Sequence, residues 1–338
     1  MNRWFLIPDE DKKVAYNQIS SKTGLPAYAI EKDWWVVQTL AILFELEIGQ
    51  NLIFKGGTSL SKAWDLIKRF SEDIDLAIDR SFFGFEGELN KSNRTKLRKV
   101  SKNYISTTLF ENLQKAYTDK GILDIKFDRQ ESSESDLDPV SLYLYYPKVV
   151  NYPNYIEPRV RIEIGCRSLR EPFENRRIIS MLDQTYPETD FSQKPIQIPS
   201  VLPERTFLEK IFLLHEEFHC PQEKMNVDRL SRHLFDIYEL SKTTYASIAL
   251  EDKQLYETIV KHRNNFTKIG GVDYNLHQPQ KINFIPPNNI MKAWRDDYKT
   301  MQEQMIHGDS PSFDELIESL TELKAKINSL DWRMDIVF

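Results

Sequence analysis

Seven residues, Asp73-Ile74-Asp75-Leu76-Ala77-Ile78-Asp79, alternate charged and apolar side chains, and few local structures accommodate that run. Successive side chains of a strand point to opposite faces. The alternation therefore places Asp73, Asp75 and Asp79 on one face and Ile74, Leu76 and Ile78 on the other. Just upstream, the short apolar run Leu52-Ile53-Phe54 leads into Gly56-Gly57, and residues 59 to 69 have helical composition and spacing, which predicts strand, tight turn and helix ahead of the acidic strand. Residues 26 to 48 read as a preceding helix, with Pro26 in its first turn, apolar residues at Ile30, Trp34, Val37, Leu40 and Ile42, and Gly49 as its stop.

Downstream, residues 93 to 118 read as a long helix, followed by strand-like runs at 122 to 127, 140 to 148 and 158 to 165, with an acidic, serine-rich loop around Glu131 to Asp138. From Pro203 the pattern turns helical, with helices expected at 204 to 218, 224 to 242, 246 to 264 and 311 to 328, and a Pro- and Asn-rich stretch near 275 to 289. The reading is an α+β protein with an N-terminal helical segment, a mixed-sheet domain over residues 1–200 and a helical domain over 201–338. The boundary is placed where prolines cluster in Ile196 to Pro203.

The 338 residues are 41% hydrophobic and 12% aromatic, enough for one or two cores without staples. Two cysteines, Cys166 and Cys220, and an opening that lacks a charged segment followed by an apolar one point to an unexported, cytoplasmic protein. No apolar run reaches the length of a membrane span, so no membrane role is expected. A net charge of -6 argues against nonspecific coating of nucleic acid but leaves room for a local basic groove serving one RNA.

Phosphoryl transfer from a nucleoside triphosphate needs developing charge neutralised, and carboxylates at i and i+2 of a strand can share a divalent ion pair. Asp73 and Asp75 have that spacing. Gly56 and Gly57 permit a sharp turn whose amides can face phosphate oxygens. The helix beginning near Thr58 adds its positive end, the hydroxyls of Thr58 and Ser59 add donors, and Lys62 adds a charge one turn later. A Gly-Gly turn or an Asp-x-Asp alone is usually just a turn or a solvated strand face; the order of the two carries the information.

The stretch Phe54-Lys55-Gly56-Gly57-Thr58-Ser59-Leu60-Ser61-Lys62, followed by Arg69-Phe70-Ser71-Glu72-Asp73-Ile74-Asp75-Leu76, resembles the signature of the AbiEii family of bacterial nucleotidyltransferase toxins, within the polymerase-beta-like nucleotidyltransferase superfamily. Glu31-Lys32-Asp33-Trp34-Trp35-Val36, Glu204 to Lys210 and Arg229 to Ile237 are similar to further family segments, so the resemblance covers roughly residues 28 to 240. The 15 residues between Gly57 and Asp73 exceed the usual superfamily gap but resemble the narrower family's spacing.

The resemblance implies a polymerase-beta-like core, a nucleoside triphosphate substrate, Mg2+ or Mn2+, and a third carboxylate on a later strand. Alternation in Arg159-Val160-Arg161-Ile162-Glu163-Ile164-Gly165 puts Glu163 on a polar face, and Glu163 is chosen over Glu157 to complete the metal site or accept the acceptor's proton. The bland alternative is a surface Glu paired with Arg161. By family analogy Lys210 is assigned to the triphosphate, with Arg232 and Asp236 supporting the site, although an i,i+4 ion pair between the last two would account for them structurally. The implied role is the toxin of a toxin-antitoxin or phage-defence system, with a cognate antitoxin that need not touch it. The expected acceptor is RNA such as a tRNA 3′ end; a protein hydroxyl is the alternative, then a degenerate binding module, then a small molecule.

Two further features need weighing. His215-Glu216-Glu217-Phe218-His219 fits the zincin pattern, yet Pro221 ends the helix at once, so a solvent-facing helix end without zinc is expected. The basic stretch Lys91, Arg94, Lys96, Arg98, Lys99 and Lys102, with Tyr104 following, is either a groove for RNA phosphates or a solvated helix face.

Overall fold

The computed structural model describes residues 3–153, 156–166, 172–306 and 308–338. The chain forms two compact units, one made of Met1–Trp64 and Phe70–Val201, the other of Asp65–Arg69 and Leu202–Phe338. Among the described residues the first unit holds a seven-stranded mixed sheet: β1 (Leu52–Lys55), β2 (Asp73–Ile78), β3 (Lys126–Arg129), β4 (Val140–Tyr145), β5 (Arg159–Gly165), β6 (Phe173–Ile178) and β7 (Ile196–Val201), in the order β3-β4-β5-β2-β1-β7-β6. The β2–β5 and β1–β7 pairings are parallel and the others antiparallel.

One face of this sheet is core. Ile74, Leu76, Ile78, Leu142, Leu144, Val160, Ile162 and Ile164 are all buried, as period-two alternation requires. The apolar helix Ala27–Glu45 packs on that side. So does the helical stretch Lys91–Asp119, whose Tyr117 meets Phe127 of β3 edge-on at 5.3 Å and hydrogen-bonds Thr39 at 2.8 Å. The expected helix over 93 to 118 is thus present, with a π turn at Ile105–Leu109 inside it.

Several boundaries differ from expectation for local reasons. The helix after Gly56-Gly57 spans only Gly56–Lys62, and Asp65 takes a left-handed φ of 54° that a helix cannot contain. The first of the three strand-like runs lies at Lys126–Arg129 rather than 122 to 127. The run Ile196 to Pro203, where the boundary is placed, is ordered secondary structure: Ile196–Val201 is β7, paired along its length with β6, and Pro203 opens the next helix, where a missing N–H costs nothing.

The second unit is helical, with Pro203–His219, Ser231–Ser241, Thr244–Glu251, Lys253–Phe266, Met291–Gln304 and Phe313–Asn328 as its longer helices. The helix expected from 224 begins only at Ser231, after Arg229 adopts φ 59°. The one expected over 246 to 264 is two helices, divided at Asp252, whose carboxylate caps the amide of Leu255 at 2.8 Å. Among the described residues no helix is long and apolar enough to cross a membrane.

Candidate active site

Strand register assembles an acidic row. β1 lies antiparallel to β2 and β2 parallel to β5, so Lys55, Asp75 and Glu163 face one another across three strands, with Ser141 of β4 opposite Glu163. One row along, Asp73 faces Arg161, which faces Tyr143. Cross-strand partners share a face. Asp73, Asp75 and Glu163 therefore stand together on the half-exposed side of the sheet, while their neighbours in sequence are buried on the other. Lys55, at the end of β1 and assigned no role from the sequence, is brought into the row by register.

Gly56 explains how β1 can end against that row. Its φ is +76°, and a Cβ there would lie 1.9 Å from Oδ2 of Asp75. Two independent constraints, a left-handed backbone and a carboxylate in the side chain's place, thus require glycine. The helix Gly56–Lys62 starts here, and the side chain of its N-cap residue Lys55 makes no capping hydrogen bond. Gly56→Ala should add about 1–2 kcal/mol of backbone strain. It should also push the Asp75 carboxylate aside, and a displacement of about 1 Å at a reacting centre costs roughly a hundred-fold in rate. A measured rate within a few-fold of wild type in a folded Gly56→Ala protein would sink this account.

Glu163 is the perturbed group of the row. Burial first, then the negative charges of Asp75 and Asp73, push its carboxyl up to about 7, against the pull of Arg161, whose Nη2 donates to Glu163 Oε1 at 2.5 Å. The donors Asp73, Asp75 and Glu163 are all carboxylate oxygens, the chemistry that Mg2+ or Mn2+ takes. The like charges that help to raise the Glu163 carboxyl are what a cation would relieve. As the side chains stand they do not form a closed cage. Among the described residues no three His, Cys, Asp or Glu side chains gather closely enough to hold an ion, and Glu163 gives one oxygen to Arg161.

Several residues around the row help to hold it. Thr58, 1% exposed, shares a hydrogen bond with Ser71 Oγ at 2.8 Å and donates to the carbonyl of Asp73, so the short helix fixes the start of β2. Lys32 donates to Glu72 at 2.5 Å and to the carbonyl of Glu157 at 2.9 Å, joining the lead-ins of β2 and β5 through one buried ammonium. Lys62 pairs with Asp33 at 2.6 Å, and Asp33 also accepts the amide of Met181 at 2.8 Å. Ser59 is buried, and among the described residues its hydroxyl has no hydrogen-bond partner. The charged half of Glu31-Lys32-Asp33 thus faces inward as a positioning device, a role that helical periodicity does not reveal because its partners lie far off in sequence.

Lys210, Arg232 and Asp236 lie in the second unit. Asp236, fully buried, accepts Arg69 Nε and Nη2 at 2.6 and 2.7 Å and Lys210 Nζ at 2.8 Å. Those two cations hold its carboxyl well below the usual range despite burial. Burial and the charge of Arg69 lower Lys210, which also lies 3.3 Å from His233 Nδ1. Arg232 is half-buried on the same helix.

The His215 to His219 segment is not solvent-facing as expected. His215 and Glu216 are fully buried. Glu216 is held by Arg263 at 2.7 and 2.6 Å and by His277 at 3.3 Å, and His215 Nδ1 accepts the amide of Asn283 at 3.0 Å. The glutamate that a zincin needs as a base is the anion of a structural ion pair. The basic run is partly covered too. Arg98 pairs with Asp136 at 2.5 Å, and Lys102 donates to the carbonyls of Ser132, at 3.0 Å, and Glu134, so the acidic loop lies along the basic helix.

The family model described as "Nucleotidyl transferase AbiEii toxin, Type IV TA system" matches residues 39–319. Among solved structures, the nucleotidyltransferase toxin MenT4 of Mycobacterium tuberculosis is similar at 16% identity and TM-score 0.47, over 90% of this chain and 85% of that one. JHP933 of Helicobacter pylori is similar at 13% identity and TM-score 0.41, over 90% and 93% of the two chains. A putative nucleotidyltransferase of H. pylori is similar at 14% identity and TM-score 0.40, over 94% of each. No curated protein sequence matches. With the family model spanning most of its length, the chain belongs to the AbiEii family of nucleotidyltransferase toxins of type IV toxin-antitoxin systems.

Proposed function

We propose that this protein transfers a nucleotidyl group from a nucleoside triphosphate to the 3′ hydroxyl of an RNA, a tRNA 3′ end first, as the growth-arresting toxin of a cytoplasmic toxin-antitoxin or phage-defence pair. The cognate antitoxin need not touch it. The observation that carries this reading is the acidic row of Asp75 and Glu163 in register, with Asp73 beside it and Gly56 cut away to admit the Asp75 carboxylate. Bound Mg2+ or Mn2+ on Asp73, Asp75 and Glu163 would supply charge neutralisation for the transferred phosphoryl group.

The chain's own residues do the rest. Where Glu163 is left free of the metal, its carboxylate accepts the proton of the attacking hydroxyl; the new bond forms between that oxygen and the α-phosphorus while the α–β bridge breaks and pyrophosphate leaves. The amides at Gly56 and Gly57 receive phosphate oxygens, and Thr58, Lys32 and Lys62 keep the row in place. Lys210 is proposed to serve the triphosphate, with Arg232 and Asp236 orienting it.

The test supplies each labelled nucleoside triphosphate with Mg2+ to a lysate expressing wild type or Asp75→Ala. Aspartate-dependent label that resists protease and yields to ribonuclease is expected. The opposite pattern moves the acceptor to a protein hydroxyl, and no label with no growth arrest favours a degenerate binding module.

The raised carboxyl of Glu163 also predicts a pH effect. A carboxyl lifted from its unfolded value near 4.5 to about 7 contributes stability in full below pH 4.5, and that contribution is lost as pH rises through 7. Glu31, buried in the same unit and also lifted to about 7, adds a similar fall. Wild type should therefore lose thermal stability between pH 5 and pH 8 more steeply than Glu163→Gln, and added Mg2+ should raise the melting temperature more at pH 8 than at pH 5. Equal slopes in the two proteins would contradict the assignment.

A further inference from the structure

The half-exposed face of the sheet carries a second group of side chains, beyond the carboxylates. Tyr143 faces Arg161 on β5 and Asp128 on β3, and Tyr145 faces Arg159 and Lys126. Register puts them all on the face that presents Asp73, Asp75 and Glu163. The guanidinium of Arg159 sits 4.7 Å from the ring centre of Tyr143 and 5.8 Å from that of Tyr145, and donates to the Tyr145 hydroxyl at 3.2 Å. Lys126 Nζ lies 6.0 Å from the Tyr145 ring. The two rings are 6.4 Å apart and inclined by 40°.

Among the described residues these tyrosines lie outside the core of the sheet. The core of β4 and β5 is on the opposite face, in Leu142, Leu144, Val160 and Ile162, whereas Tyr143 and Tyr145 are half-buried and Lys126 is exposed. Aromatic faces interleaved with Arg and Lys on an open sheet suit unpaired nucleotides: any base can stack on a ring, and the cations take the phosphates. A duplex hides its base faces and would not fit. Position agrees with this chemistry. Strands are about 4.8 Å apart, so β4 lies about 10 Å from β2, the length of a few nucleotides. Asp128, and Glu157 in an ion pair with Arg159, offset part of the positive charge, which leaves stacking as the main source of affinity.

We infer that the β3–β4–β5 face is a stacking platform for the unpaired 3′ end of the acceptor RNA, with bases on Tyr143 and Tyr145 and backbone phosphates on Lys126 and Arg159. The terminal hydroxyl is thereby led along the sheet toward Asp73 and Asp75. This rests on RNA being the acceptor.

The experiment titrates the full chain with a short single-stranded oligoribonucleotide, labelled at its 5′ end and free at its 3′ hydroxyl, and reads anisotropy, with an RNA duplex of equal length alongside. KM for the nucleoside triphosphate and for the acceptor is measured on the same variants. Tyr143→Ala and Tyr145→Ala should each weaken oligoribonucleotide binding and raise the acceptor KM by about ten-fold. The tryptophan replacements should restore both, the leucine replacements should not, and the triphosphate KM should stay at its wild-type value. The platform is overturned if wild type fails to bind the single strand, if the alanine variants bind as wild type does while label still reaches RNA, or if the loss falls on the triphosphate KM instead. Label that lands on protein retires the RNA acceptor and overturns the platform's acceptor role with it, even where oligoribonucleotide binding still depends on the tyrosines.

Discussion

Asp75→Ala should reduce nucleotidyl transfer by about a thousand-fold or more, equivalent to about 4 kcal/mol of transition-state stabilisation, and abolish growth arrest. Asp75 is the member of the acidic row flanked on both sides in register, by Lys55 and Glu163, and its Oδ2 occupies the space that Gly56 leaves open. Removing it deletes a shared anionic donor. The fold should survive, because the side chain lies on the half-exposed face and its charge is one of the causes of the raised Glu163 carboxyl. The expected signature is an inactive protein that melts no lower than wild type at pH 8. Near wild-type transfer in this variant would refute the site, whereas a large drop in melting temperature would give Asp75 a structural role instead.

Asp236→Ala should be the most destabilising single change in the second unit, by about 3–5 kcal/mol. The size comes less from the lost pair than from what remains, since Arg69 and Lys210, with side chains 2% and 8% exposed, would be left as cations without their shared anion. Because its neighbours depress the Asp236 carboxyl, its contribution is complete above the unfolded value near 4 and is lost only as pH falls toward the folded value. Denaturant unfolding at pH 7 should show the loss, and Asp236→Asn should recover only part of it. A change under about 1 kcal/mol would mean that water reaches both cations.

The strand, turn, helix and acidic strand were legible because each has a period or a breaker of its own: two for Asp73 to Ile78, two glycines for the turn, and a long apolar stripe for Ala27–Glu45. β6 was hidden because Phe173-Glu174-Asn175-Arg176-Arg177 is charged and mostly exposed, as suits the strand at the end of the sheet order, and Pro199 masked β7. The helix Asp9–Thr23 escaped notice because it buries only Tyr16 and Ile19 and shows no clear apolar stripe. Of the site, the carboxylates could be named from alternation. Their setting could not: Lys32 meets Glu72 across 40 positions, Arg69 meets Asp236 across 167, and the place of Lys55 depends on register. Local patterns report the faces of an element, and only tertiary pairing reports which charges are already spoken for.

The membership of Asp65–Arg69 in the second unit has a consequence for dissecting the protein. The polypeptide changes unit at residues 64 to 65, 69 to 70 and 201 to 202, so it cannot be parted by one cut. A fragment ending at Val201 carries Arg69 away from Asp236 and from its β-bridge partner Ile306, and a fragment starting at Leu202 keeps a buried carboxylate with Lys210 as its sole remaining partner of the two. Neither piece is expected to behave as a free-standing module. Exchange of one half between relatives would succeed only if the five-residue loop Asp65–Arg69 travels with the helical half, which makes that loop, well before the boundary in sequence, part of the hereditary unit it serves.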